Sequence, residues 1–118
     1  NGAKVCIADL RDETGKPTLE EFENTYGKEY VCFAKCDVTK EDQFEALFDQ
    51  AENYFKVNCI DLLVNNAGIN TNFGWKKCME VNIMAVMNGT EIALERMNKA
   101  GKPCQIINTA SMGMHLNK

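Results

Sequence analysis

The sequence predicts an α/β protein with a parallel sheet, and three observations carry that expectation. Short apolar runs of strand length alternate with segments whose apolar residues recur at helical spacing. The runs are apolar almost throughout rather than alternating, the pattern of strands covered on both faces. Each run is followed by a turn or a helix start, so strands alternate with helices throughout, the order of a parallel sheet with crossover helices.

Val5-Cys6-Ile7-Ala8, closed by Asp9, reads as a strand buried on both faces. Thr18 followed by Glu21 has the spacing of a capping box, with Pro17 just before it, so a helix is expected from Thr18 to about Tyr26, stopped by Gly27. Residues 29–35 form the next strand and deliver Cys36-Asp37-Val38 to a turn, after which Thr39 is positioned to cap a helix. In that helix Phe44, Leu47, Phe48, Ala51 and Phe55 make one apolar stripe that must lie on a sheet.

A third strand is expected over 60–64, followed by Asn65-Asn66-Ala67-Gly68 and a polar loop to Gly74. From about Trp75 to Lys99 a long helix presents Met79, Ile83, Val86, Met87, Thr90, Leu94 and Met97 on one face and Val81, Ala85, Gly89 and Ile92 on another, which implies cover on two sides. Gly101 and Pro103 end it. Gln105-Ile106-Ile107-Asn108 is the fourth strand. Repeats and internal linkers are absent, so the 118 residues read as one partial domain.

Composition narrows the function. At 45% hydrophobic and 25% charged residues the chain is of ordinary globular type, and its net charge of −4 with scattered lysines gives no footprint for nucleic acid. No apolar run reaches membrane-spanning length and no leader pattern opens the chain, so the expectation is a cytoplasmic protein with no membrane partner. The six cysteines sit mostly inside strand-like runs and read as reduced core residues. Cys32-x-x-x-Cys36 has no second pair and the single histidine, His115, is distant, so no metal site is expected.

The turns after the strands hold the chemistry. Asp9, at a strand end, can accept hydrogen bonds from ribose hydroxyls and repel a 2′-phosphate, which favours NAD over NADP, and Leu10 can line an adenine pocket. Cys36, Asp37 and Val38 can shape that pocket through a carboxylate and adjacent backbone. Asn66, Ala67 and Gly68 leave room for a nucleotide against the chain. Asn82, an amide amid apolar helix residues, needs a partner to justify its place.

Leu62-Leu63-Val64-Asn65-Asn66-Ala67-Gly68, Asn82 sixteen positions beyond Asn66, and Ile106-Ile107-Asn108-Thr109-Ala110-Ser111-Met112-Gly113 together resemble the short-chain dehydrogenase/reductase family. The resemblance implies a Rossmann-type doubly wound parallel sheet, incomplete here, with the first strand and the carboxy-terminal part absent. It also implies a small-molecule alcohol or ketone substrate, a hydroxylated lipid in the nearest-looking relatives, and a homo-oligomer built partly on the long helix. Ser111 would orient the substrate oxygen, and Asn82 would hold a water in a proton relay.

Two family elements have no counterpart in these residues. The glycine-rich turn after the first strand is missing, and so is Tyr-x-x-x-Lys: Tyr26, Tyr30 and Tyr54 are followed four positions later by Tyr30, Ala34 and Asn58. Since the chain opens on Asn1, the expectation is a fragment of an NAD-dependent secondary-alcohol dehydrogenase, marginally stable and inactive alone. The alternative is a short non-catalytic protein that keeps part of the fold and acts by binding a partner. A receiver-like or flavodoxin-like domain would leave the Asn-Asn-Ala-Gly turn and Asn82 unexplained.

Overall fold

The computed structural model describes residues 2–111. The chain divides after Asn58 into two compact units. Each is built on a pair of parallel strands, and the alternation of strand and helix follows the expected order. Among the described residues, no helix is long and apolar enough to cross a membrane.

In the first unit, β1 (Val5–Asp9) lies parallel to β2 (Val31–Lys35), with Val5 opposite Val31 and Asp9 opposite Lys35. Two helices pack on the pair: α1 (Asp12–Tyr26) on both strands and α2 (Glu41–Phe55) on β2. The stripe read from the sequence is the buried side of α2, where Phe44, Phe48, Ala51 and Phe55 are all within the core. Val31, Cys32 and Ala34 are buried, which is the two-sided cover that an apolar strand needs. β1 departs from that expectation. Val5 is 43% exposed, because within this unit β1 has one partner strand and an open second edge.

The first helix begins at Asp12, six residues before the expected start. The Asp9 carboxylate accepts the Arg11 N–H, and Gly15 N–H already donates to the Arg11 carbonyl, so the chain winds directly out of the strand. Asp12 and Glu13 then favour the first turn through the helix dipole. Thr18 does not cap. Its hydroxyl donates to the Thr14 carbonyl inside the helix, and Pro17 is accommodated one position earlier. The helix ends at Gly27, as expected, with a positive φ of 97°. Residues Lys28–Tyr30 form a short 3-10 turn rather than the start of β2, and the Tyr54 hydroxyl holds it by donating to the Lys28 carbonyl.

In the second unit, β3 (Leu62–Asn65) pairs in parallel with β4 (Gln105–Asn108), with Leu62 opposite Gln105 and Asn65 opposite Asn108. Residues 60 and 61 precede β3 instead of belonging to it, although the Asp61 carbonyl accepts the Gln105 N–H at the foot of the pair. The long helix over 75–100 is α-helical over Trp75–Met79 (α3), π-helical over Glu80–Met84 and α-helical again over Ala85–Ala100 (α4). Gly101 terminates it in the left-handed conformation.

The two apolar faces of this helix are not equally covered. Val81, Ala85, Gly89, Ile92, Ala93 and Met97 are buried, and the small residues among them bring α4 close to β3 and β4. Met79, Ile83, Met87 and Leu94, expected on a covered face, are all about half exposed or more. Within α4, Met87 and Leu94 fall on the side of the helix away from Ala85, Gly89 and Ile92, so one face packs on the sheet and the other stays open. On the strands, Leu62, Val64 and Ile107 share the face that the helix does not cover.

Gly15 packs directly against the Phe33 ring. A Cβ placed there would lie 2.0 Å from Cε2 of the Phe33 ring. Substitution Gly15→Ala is therefore expected to lower unfolding free energy by about 1–3 kcal/mol in urea titration, despite the helix propensity of alanine, because overpacking outweighs that gain. Adding Phe33→Leu should recover part of the loss.

Candidate functional site

The carboxyl ends of β1 and β2 bring the first group of expected residues together. The strand ladder continues one bond past β2, from Cys36 N–H to the Asp9 carbonyl at 2.9 Å, so Asp9 and the turn at 36–38 stand side by side. Asp9 is partly exposed and Oδ1 accepts the Arg11 N–H at 2.8 Å. Leu10 is 57% exposed, an uncommon position for a leucine without a ligand or partner to cover it.

Asp37 organises the turn. Its Oδ1 accepts both the backbone N–H of Thr39 at 3.0 Å and the Thr39 hydroxyl at 2.7 Å, and its carbonyl accepts the Lys40 N–H. Thr39 therefore does not cap α2 as the sequence suggested. The nearer carboxylate takes its hydroxyl, and Lys40 occupies the cap position without a side-chain bond. A groove of about 340 Å³ opens at this end, lined by Leu10, Lys35, Asp37, Gln43, Leu47 and Gln50. Asp9 and Val38 do not line it. A larger groove, about 450 Å³, lies at the amino ends of the same strands between Lys4, Lys28 and Phe55 and contains none of the expected residues.

The thiols beside this site are held neutral. Burial pushes Cys6 up to about 12, helped by neighbouring Cys32, with which it shares a hydrogen bond across the register pair. Burial and then the Asp37 carboxylate push Cys36 up to about 11. Cys36 thus contributes backbone and bulk to the site rather than a reactive thiolate.

The second group gathers where β3 ends. Asn65 is buried and its amide nitrogen lies within hydrogen-bonding distance of three acceptors: Asn108 Oδ1 at 3.0 Å, Thr90 Oγ1 at 3.3 Å and the Val86 carbonyl at 3.4 Å. Asn66, Ala67 and Gly68 follow as exposed residues, which leaves their backbone open to a ligand. Asn82, in the π turn, pairs with the backbone of Ile69 on both sides. Its Oδ1 accepts the Ile69 N–H at 2.9 Å and its Nδ2 donates to the Ile69 carbonyl at 2.8 Å. Each half of the amide keeps one further N–H or lone pair for another partner.

Ser111 is exposed beyond the carboxyl end of β4, two residues after Thr109 N–H donates to the Asn65 carbonyl. Met112 and Gly113, read with it as one segment, lie outside the described residues, as do Asn1 and His115. Each unit thus assembles its own share of the expected residues at strand carboxyl ends. Sequence reading passed over Asn108 and Thr90 as the partners of Asn65. The signal was present, since two apolar strands both end in Asn and parallel register sets those residues opposite each other.

A family model described as short chain dehydrogenase matches residues 1–117, and the chain belongs to that family of oxidoreductases. It is similar to the NAD(+)-linked 15-hydroxyprostaglandin dehydrogenase of Rattus norvegicus, 32% identical over 114 residues, and to the cyclopentanol dehydrogenase of Comamonas testosteroni, 35% identical over 121 residues. These alignments cover 95% and 94% of this chain but 42% and 46% of the relatives, so the chain spans less than half of their length. Among solved structures, a short-chain dehydrogenase/reductase from Burkholderia phymatum in complex with NAD superposes with a TM-score of 0.81 at 26% identity, covering 98% of this chain and 42% of that one. One from Mycobacterium marinum gives 0.83 at 26%, covering 99% and 49%. The strands and helices described above are therefore an incomplete Rossmann-type α/β fold.

Two outcomes follow from this geometry. Asn65→Ala removes the one buried amide that ties β3 to Asn108 and Thr90 and is expected to cost about 1 kcal/mol in denaturant unfolding, since the exposed Asn108 and half-buried Thr90 can turn to water. Separately, thiols that stay protonated in the fold but ionise when unfolded make the unfolded state bind fewer protons above pH 9. Stability contributed by Cys6 and Cys36 is thus complete below pH 9.0 and declines as pH rises toward 11–12. Unfolding midpoints measured from pH 8 to pH 11 should fall along that range, and less steeply in Cys6→Ala.

Proposed function

We propose that this chain is part of the dinucleotide-binding domain of an NAD-dependent dehydrogenase that oxidises a secondary alcohol to a ketone, with a hydroxylated lipid as the substrate class. The observation that carries the reading is the placing of Asp9 beside the 36–38 turn, joined by the bond from Cys36 N–H to the Asp9 carbonyl. A partly exposed carboxylate at the end of the second strand of such a fold suits the ribose hydroxyls of NAD and disfavours a 2′-phosphate. The likeness to the NAD(+)-linked 15-hydroxyprostaglandin dehydrogenases and to a structure complexed with NAD supports the cofactor and the substrate class.

The residues present fit the group. Ala67 and Gly68 are exposed, and the nearest atom to a Cβ built on Gly68 is Asn82 Oδ1 at 3.5 Å, so the backbone after β3 stays accessible. In the first unit Leu10, Cys36, Asp37 and Val38 would surround the adenine and Asp9 would hold its ribose; in the second, the open backbone of Asn66 to Gly68 has room for a nucleotide. Bound NAD supplies the hydride acceptor. Ser111 would orient the substrate oxygen by hydrogen bonding, and Asn82 would hold a water with the N–H and lone pair left after it binds Ile69. The 118 residues contain no Tyr-x-x-x-Lys, so the proton acceptor must come from residues this segment does not hold.

The half-exposed row Met79, Ile83, Met87 and Leu94 supports self-association through the long helix. The other face, Val81 to Ile92, is packed inside its own unit, as its small and apolar residues led one to expect. The same exposed row favours the alternative, a non-catalytic protein that binds a partner.

Calorimetric titration of NAD into the chain, and into a form lengthened at both ends to the span of its relatives, tests the reading. Binding and alcohol-dependent NADH formation are expected in the longer form, with no turnover by the 118 residues. Absence of NAD binding by both would leave the interaction protein as the better account. In the binding form, Asp9→Ala is expected to weaken NAD about 10-fold or more, the loss of a charge-assisted hydrogen bond, and to narrow the preference over NADP.

A further inference from the structure

The turn after β2 is fixed from outside as well as from within. Bonds among Asp37, Thr39 and Lys40 are local and would travel with the turn if it tilted. Gln43 is different. It belongs to the first turn of α2, and its side-chain Oε1 accepts the Asp37 N–H at 2.9 Å.

That N–H is the first amide past the strand ladder, since Cys36 N–H makes the last bond back to β1. Without Gln43 the peptide plane between Cys36 and Asp37 would lose this tether to a rigid element, and the direction of the Asp37 side chain depends on that plane. α2 itself is anchored on β2 by Phe44, Phe48, Ala51 and Phe55, and by Gln50 Nε2 donating to the Phe33 carbonyl at 3.0 Å. Gln43 also lines the 340 Å³ groove together with Asp37 and Leu10.

We propose that Gln43 is a positioning residue for adenine recognition, acting through the Asp37 amide rather than by touching the reacting atoms. This rests on the dinucleotide reading above. The tether sets how the Asp37 carboxylate and the Val38 backbone face the base, so it bears on the adenine half of a dinucleotide and leaves the nicotinamide half alone. Gln43 is exposed and removes no core contact when changed, which separates positioning from folding.

The test uses the form of the protein that binds NAD. Gln43→Met removes the acceptor at similar length, and Gln43→Ala removes it without added bulk. AMP, nicotinamide mononucleotide and NAD are titrated by calorimetry, and exchange of the Asp37 amide proton is followed by NMR. The expected result in both variants is a rise of about 3- to 10-fold in Kd for AMP and NAD, the range of one hydrogen bond. Nicotinamide mononucleotide binding and the unfolding midpoint should stay unchanged, and Asp37 amide exchange should be faster. Unchanged AMP affinity beside faster exchange overturns the positioning role alone, and so does an equal loss for both mononucleotides. If the unsubstituted protein binds neither AMP nor NAD, the dinucleotide reading falls and this inference falls with it.

Discussion

The second unit depends on the side-chain amide of Asn65. A buried polar group with no partner is costly, and this one is satisfied only if β3, β4 and α4 all stand where they do. Asn108 fixes the register of the two strands, and Thr90, whose own hydroxyl donates to the Val86 carbonyl, fixes how far along the helix contact is made. Hydrophobic contacts among Val81, Ala85, Ile92 and Met97 supply attraction without direction. The amide supplies the direction, and the turn carrying Asn66, Ala67 and Gly68 starts from this fixed point.

The first unit solves the same problem with backbone. Cys36 N–H reaches the Asp9 carbonyl, Gln43 takes the next amide, and the carboxylate of Asp37 closes the turn. Around these bonds Cys6, Cys32 and Cys36 act as small apolar fillers whose thiols burial keeps protonated. A site formed at strand ends needs firm strands behind it and open backbone in front, and both units show that division.

Most of the element order could be read from the sequence because an apolar run of strand length and a stripe of helical period leave different marks. The α2 stripe from Phe44 to Phe55 was legible for that reason, and so was the stop at Gly27. What misled was local polar competition. Thr18 and Thr39 both have capping chemistry, yet one hydroxyl turned to the Thr14 carbonyl and the other to Asp37, because a closer acceptor was available in each case. Nothing in residue spacing announces a π turn, and of the two faces expected to be covered only that of Val81, Ala85, Gly89 and Ile92 is, while Met79, Ile83, Met87 and Leu94 stay open. Of the site, the exposed turns and Asn82 were legible as candidates, whereas Gln43 was not, since a glutamine in a first helical turn looks like any solvated residue until its partner is placed.

The π turn at Glu80–Met84 works as a phase shifter between two rigid rods. α4 is locked to the sheet by its small residues and by Asn65, so the extra residue is absorbed on the other side, and it presents Asn82 to Ile69. A helix without that residue would turn its amino-terminal part by about 100° against its carboxy-terminal part. Val81 and Asn82 could then not both keep their places, one in the core and the other on the Ile69 backbone. Length within this short segment is thus as strictly specified as side-chain identity, and loss of one residue there would be felt more severely than most substitutions along the same helix.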